Sequence, residues 1–195
     1  MMTSRSEYRL LHRQDNADLR LSAVGLRLGL ISEERYAEVC DKYNKVDAEI
    51  KRLESTHIPP SDDLNCLLEK RDTSAVVSGA SLADLLRRPR VTYEDLAPFD
   101  NKRPLLDTEI TREAEIEIKY EGYIKRQLKQ VEEFTKMESK PLPEDIDYDS
   151  IIGLRLEARE KLKRIRPENF GRASRISGVS PADISVLMIY TETKR

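Results

Sequence analysis

Residues 107–140, DTEITREAEIEIKYEGYIKRQLKQVEEFTKMESK, hold no proline and one glycine. Apolar side chains recur through the second half at Tyr120, Tyr123, Ile124, Leu128, Val131, Phe134 and Met137. Steps of three and four residues put them along one stripe of an α-helix, because the helix returns to the same side about every 3.6 residues. The stretch therefore reads as one long helix. Gly122 sits inside it and costs roughly 1 kcal/mol relative to alanine. Either another group approaches the backbone closely there or the helix bends.

The flanks read the same way. Ser32 is placed to cap a helix opened by Glu33 and Glu34, with a stripe at Tyr36, Val39, Cys40, Tyr43, Val46, Ile50 and Leu53. Pro59 and Pro60 stop it. Upstream, residues 17–28 form a shorter helix closed by Gly29. Ser61 opens a third helix whose first turn carries Asp62 and Asp63 and whose inward face is Leu64, Leu67 and Leu68. Short helices follow around Leu82, Leu85 and Leu86, and over 92–99 behind Thr92. Val91 could be the remnant of a strand. Residues 101–104 mark a boundary, giving a first helical subdomain over 1–103 and a second over 104–195. The expected fold is all-α: a helical bundle subdomain, then the long helix, then small helical hairpins.

Composition agrees. The chain has 195 residues, 36% charged and 38% hydrophobic, with no Trp and seven Gly. Abundant Leu, Glu, Lys and Arg with little glycine favour helices. The net charge of -2 rules out a uniformly nucleic-acid-coating protein, so any such surface is a local patch. Cys40 and Cys66 stand far apart and read as reduced core thiols. His12 and His57 are the only histidines, and no metal site is expected. No apolar run approaches a membrane span and no signal segment opens the chain, which makes the cytoplasm the default location.

After the long helix, PLPEDIDYDS (141–150) carries four acids and no cation. Two short stretches then echo each other. Ile151-Ile152-Gly153-Leu154 with Leu162, and Ile176-Ser177-Gly178-Val179 with Leu187, both fit I-x-G-[LV]-x7-L. Each glycine suits a tight turn into a helix. Between Arg155 and Arg175 eight basic residues stand against three glutamates, enough to hold phosphate by charge and by helix N–H groups. Ion pairs along a helix face, such as Glu157 with Lys161, explain the same pattern.

Two further tracts could meet nucleic acid. In residues 1–21, MMTSRSEYRLLHRQDNADLRL, Arg5, Arg9, Arg13 and Arg20 are interleaved with Tyr8 and leucines. Guanidinium offers a fixed fork of donors for phosphate or carboxylate. On the long helix, KYEGYIKRQLK (119–129) combines Lys119, Lys125, Arg126 and Lys129 with Tyr120 and Tyr123. Rings stack on unpaired bases while cations neutralise phosphate. The tyrosines also lie on the apolar stripe, which favours a core position for them; the cations face elsewhere. No dinucleotide, P-loop, nucleophile-elbow or zinc-protease pattern occurs, so no catalytic residues are assigned.

TSRSEYRLLHRQDNADLRL (3–21), GLISEERY (29–36), YEGYIKRQ (120–127) and PEDIDYDSIIGLRLEAREKLKRIRPENFGRASRISGVSPADISVLM (143–188) together resemble the C-terminal part of the GidA/MnmG family. That family makes the 5-carboxymethylaminomethyl group on the wobble uridine of certain tRNAs. The resemblance implies a parent enzyme that uses FAD and NAD, dimerises through a flavin domain preceding this segment, and works with a GTPase of the MnmE type. It implies that this chain holds no cofactor and begins inside the arginine tract, so residues 1 to about 14 should be the least ordered part of the chain. It further implies a helical module that binds tRNA, through Arg5, Arg9, Arg13, Arg20, Lys119, Lys125, Arg126 and Lys129. Ser174, Arg175, Ser177 and Gly178, with an exposed apolar face at Ile184, Leu187 and Met188, would dock the GTPase partner or the tRNA end. The alternative is a structural scaffold for oligomer or partner assembly without RNA contact.

Overall fold

The computed structural model describes residues 8–193. The chain divides into two compact units, 1–125 and 126–195. The division falls inside the long helix, whereas the sequence pattern placed a boundary at 103/104.

In the first unit, α1 spans Ala17–Arg27, α2 Glu33–Ser55, α3 Asp62–Lys70 and α4 Leu82–Leu86. A 3-10 helix covers Glu94–Phe99, and the long helix α5, Thr108–Ser139, begins in this unit. The caps are those the sequence wrote. Ser32 and Ser61 each accept a hydrogen bond from the backbone N–H three residues on, Arg35 and Leu64, at 3.2 Å. Thr92 and Asp95 exchange reciprocal bonds, the Asp95 N–H donating to Thr92 Oγ1 and the Thr92 N–H to Asp95 Oδ2. At the end of α1 the Leu30 N–H reaches the Gly25 carbonyl and the Gly29 N–H the Leu26 carbonyl, a paired closure that satisfies two carbonyls.

The core of this unit gathers Leu53 of α2, Leu64 and Leu68 of α3, Leu82, Leu85 and Leu86 of α4, then Val91, Tyr93, Leu96 and Ile118. Val46 of α2 packs separately with Ile110 and Ala114 of α5. Val91 is fully buried and belongs to no strand. The one sheet among the described residues is an antiparallel pair, β1 (His57–Ile58) with β2 (Ala80–Ser81). Two-residue strands are too short to show a period-2 pattern. Both cysteines are exposed, not core. Cys40 lies at the outer margin of the α2 stripe, whose buried centre is Val39, Val46 and Leu53.

α5 is continuous for 32 residues, about 48 Å at the usual rise. A Cβ built on Gly122 would meet nothing within 4 Å, so no neighbouring group explains that glycine.

The second unit holds the end of α5, a 3-10 turn at Tyr148–Ser150, α6 (Leu156–Ile165), α7 (Phe170–Ser174) and α8 (Pro181–Thr193). Tyr148, Ile151, Leu154, Ala158, Leu162, Phe170, Ala173, Ile184 and Leu187 form its core. Among the described residues no helix is long and apolar enough to cross a membrane.

Candidate functional site

The arginine tract is the first region to place. Arg5 lies outside the described residues. Residues 8–14 form turns without helix or strand, with the Leu11 N–H bonded to the Tyr8 carbonyl. Arg9 is exposed and makes no ion pair among the described residues. Arg20 is exposed too, its Nε donating to Asn16 Oδ1 at 2.9 Å and its Nη2 to the Arg13 carbonyl at 3.2 Å.

Arg13 behaves differently. Its side chain is 11% exposed and pairs with Asp15 at 2.8 Å, with Glu117, and with Glu113 at 3.7 Å. Its Nη1 also donates to the Leu10 carbonyl at 2.9 Å. Burial alone would weaken the charge, but hydrogen bonds to Asp15 and Glu117 raise its pKa above the ordinary value. This guanidinium is an anchor inside the fold, not a free phosphate ligand. Nothing in the tract announces that; the signal lay in α5, where EAEIE (113–117) sets two carboxylates one turn apart.

Glu113 is the odd member of this cluster. It is 4% exposed, and its Oε1 is buried with no hydrogen-bond partner among the described residues. Desolvation first, then Asp15 and Glu117, push its pKa up to about 7, while Arg13 and Lys42 oppose them. Beside it Lys42 bridges Asp18 at 2.7 Å and Glu109 at 2.8 Å, and the Tyr43 hydroxyl donates to Asp18 at 2.6 Å.

A second buried cluster closes more completely. Arg52 makes two-pronged contacts to Glu49 (2.8 and 2.7 Å) and to Asp100 (3.0 and 2.6 Å). The Tyr93 hydroxyl donates to Glu49 Oε1 at 2.7 Å. Burial, then the bond to Glu49, push the Tyr93 pKa up to about 12.

Along α5, Lys119 pairs with Glu115 at 2.7 Å, and Lys125, 73% exposed, pairs with Glu121. Tyr120 and Tyr123 are not core: they are 42% and 59% exposed, with ring centroids 6.4 Å apart. In the first turn of the second unit Arg126 is exposed, as is Lys129, and neither makes an ion pair among the described residues.

The two echoing stretches of the second unit are matching turns. Gly153 has φ +90° and Gly178 φ +95°, a region that favours glycine, and α6 and α8 each begin three residues later. Asp183 joins them. Its carboxylate accepts the Arg155 N–H at 3.4 Å and the Ser180 N–H at 2.8 Å, together with the Arg155 side chain. Those bonds, the Arg155 guanidinium foremost, hold its carboxyl well below the usual carboxylate range. Lys161 Nζ donates to the Ser177 carbonyl at 2.5 Å, and Arg155 Nη2 to the Gly178 carbonyl at 3.2 Å.

Of the expected docking residues, Ser177 is exposed, and Gly178 forms the turn. Ser174 bonds back to the Gly171 carbonyl at 2.8 Å. Arg175 pairs with Glu138 at 2.8 Å and lies over the Phe134 ring. The apolar three are a correction. Ile184 is 5% and Leu187 0% exposed, and Met188 packs against the same core. α8 is apolar on both sides, so its sequence does not tell which side turns inward. The outward side carries Ala182, Ser185 and Ile189, while half-buried Val186 packs against the core close to the Gly153 turn, next to exposed Ile152.

Among the described residues no three His, Cys, Asp or Glu side chains are grouped to hold a metal ion.

Comparison with known proteins bears on the whole chain. Residues 33–128 match a domain described as the tRNA modifying enzyme MnmG/GidA C-terminal helical domain, and residues 130–195 its C-terminal helical bundle. The tRNA uridine 5-carboxymethylaminomethyl modification enzyme MnmG of Caldicellulosiruptor saccharolyticus is 54% identical over 98% of this chain. That of Geobacillus kaustophilus is 50% identical over 100%. The chain spans 31% of the length of each of these relatives. The structure of Aquifex aeolicus GidA in its form II crystal superposes with a TM-score of 0.62 at 38% identity, covering 95% of this chain and 28% of that one. Motifs, helical architecture and comparisons converge: the chain belongs to the GidA/MnmG family and corresponds to its C-terminal helical domain and helical bundle.

Proposed function

We propose that this region binds tRNA and docks a GTPase partner of the MnmE type for an FAD-dependent enzyme that forms 5-carboxymethylaminomethyluridine at the wobble position. The observation that supports the RNA half most is that three of the expected tRNA-binding cations, Arg9, Arg126 and Lys129, are exposed and make no ion pair among the described residues. Arg20 and Lys125 add charge at the surface; Arg13 does not, because it is spent on internal carboxylates. Partner docking falls to the outward side of α8, around Ile189 at 65% exposed and Ile152 at 95%.

The residues of this chain do not fit a flavin dinucleotide. Among the described residues the sheet is a two-residue antiparallel pair, and no glycine-rich turn leads from a parallel strand into a helix. On this reading FAD, NAD, the catalytic groups and the homodimer contact belong to the part of the longer relatives that lies outside this chain. A cytoplasmic location goes with a tRNA substrate.

The RNA half is tested by titrating tRNA at several salt concentrations. Each phosphate neutralised should contribute about 0.7–0.9 to the slope of log affinity against log salt. Undetectable binding at low salt overturns it. Docking is tested by co-elution with the GTPase on a sizing column. Ser185→Asp with Ile189→Asp should abolish the complex, and an unchanged complex overturns the placement. The apolar outer side of α8 also favours a second reading, a scaffold without RNA contact; a GTPase complex together with absent tRNA binding would select it.

A further inference from the structure

Helix α1 turns its polar side inward and its aliphatic side out. It packs on α2, and the side that meets α2 carries Asp18 and Ser22. Asp18 takes Lys42 at 2.7 Å and the Tyr43 hydroxyl at 2.6 Å, and Ser22 is the one fully buried residue of the helix. Leu21, Val24 and the C-cap Leu28 are 57%, 40% and 63% exposed. Steps of three and four residues set them on one strip, about 120° around the axis from Asp18 and Ser22. A helix at the surface of a complete fold has the opposite arrangement, with its apolar stripe toward the core. Single exposed leucines are ordinary, but a contiguous aliphatic strip on a helix whose inner side is polar marks a contact surface.

The size of the strip, its charge and its place in the chain together identify what covers it. Three side chains of this kind offer a few hundred Å² at most, well under the roughly 800 Å² per partner that separate molecules need for a stable contact. A surface that small holds a partner tethered beside it, where the effective concentration reaches about millimolar. Arg20 and Arg27 line one edge of the strip, both exposed and without an ion pair among the described residues. A second copy laid antiparallel across a two-fold axis would set those guanidinium groups against each other. The chain itself supplies the tether. Residues 33–128 match the C-terminal helical domain of the family, and α1 lies ahead of that match. The relatives carry most of their length outside the region this chain covers, and because the match is C-terminal that length precedes it. Arg13, paired with Glu117 of α5, holds the backbone that enters α1 against this unit. A preceding domain is thereby delivered to the side of this helix.

We propose that the outward strip of α1, Leu21, Val24 and Leu28, is the docking face for the part of the longer protein that precedes this helical region. The surface that meets it is apolar at its centre and carries an acid opposite Arg27. In the whole molecule α1 is then covered on both sides and forms the joint between the helical region and what comes before it. Docking there needs neither RNA nor a GTPase and stands or falls apart from both.

Cover at one position, measured in two proteins, tests this. Both carry Cys40→Ser and Cys66→Ser, which remove the exposed native thiols, and Leu28→Cys as a reporter. One is the 195-residue chain; in the other the same residues follow the part of the longer Caldicellulosiruptor relative that precedes the match. Alkylation at residue 28 by a maleimide, followed by peptide mass, should be at least about 10-fold slower in the long protein. Equal rates overturn the docking. Adding Arg27→Glu to the long protein should restore much of the lost rate, and an unmoved rate removes the acidic partner from the proposal. Hydrogen exchange needs neither fusion nor substitution. The helix of the unaltered Caldicellulosiruptor protein that matches α1 should be at least about 10-fold better protected than α1 in the 195-residue chain. Should the fusion fail to fold, equal protection here defeats the proposal. If the 195-residue chain is a dimer that Leu21→Asp/Leu28→Asp returns to a monomer, a second copy covers the strip and the assignment to the preceding part is wrong.

Discussion

Arg52 and Arg13 sit in the same unit, each pinned between carboxylates, yet their surroundings close differently. Arg52 faces two carboxylates and engages both with two prongs, and a tyrosine hydroxyl takes up part of what remains on Glu49. Arg13 faces three, and the third, Glu113, keeps a buried oxygen without a donor. Burying charge is tolerable only when each polar atom is matched. The first cluster meets that condition. The second has one carboxylate too many, and a proton is the simplest remedy.

The largest effect should come from breaking the matched cluster. Arg52→Ala leaves Glu49 and Asp100 buried without their cation and should cost about 3–5 kcal/mol in chemical denaturation. A loss under 1 kcal/mol would mean that water satisfies both acids.

Next comes the response of the unmatched cluster to pH. The Glu113 pKa lies near 7 in the folded chain, above its ordinary value of 4.5. The folded state therefore binds this proton more tightly than the unfolded chain does. The contribution is fully present below about pH 4.5, fades as pH rises, and is gone above about pH 7, a loss of about 3 kcal/mol at most. Denaturation midpoints of the parent and of Glu113→Gln, measured across that window, should converge at low pH and separate above pH 7, with the variant the more stable. Parallel curves would defeat the assignment.

Tyr93→Phe should remove about 2 kcal/mol by taking a donor from the buried Glu49 carboxylate while keeping the ring in the core. The same measurement on Lys125→Ala should move stability by less than about 0.5 kcal/mol, since its pair with Glu121 is exposed on the lysine side. A larger change at Lys125 than at Tyr93 would invert the ranking of buried over surface contacts.

These clusters also mark where sequence reading stopped. Caps and periodicities are local, so Ser32, Ser61, the closure at Gly29 and the two glycine turns could be read from neighbouring residues alone. Arg13 could not, because its partners Glu113 and Glu117 lie a hundred residues away. The inward side of α8 could not either: Ile184 and Leu187 go in and Ile189 stays out, although all three are aliphatic. Tyr120 and Tyr123 misled for a related reason. They continue an apolar stripe, but periodicity says which residues share a side, not whether another element covers it.

Asp183 bears on what the glycine turns can bind. Backbone N–H groups at a helix start attract anions, and phosphate is the usual guest. Here the chain has brought its own guest: one carboxylate already takes the N–H of Arg155 and of Ser180. An incoming phosphate would have to evict a tethered competitor that stays ionised at any pH a cell experiences. Each turn thus has one backbone N–H already occupied, and by the same carboxylate, which ties the starts of α6 and α8 together from within.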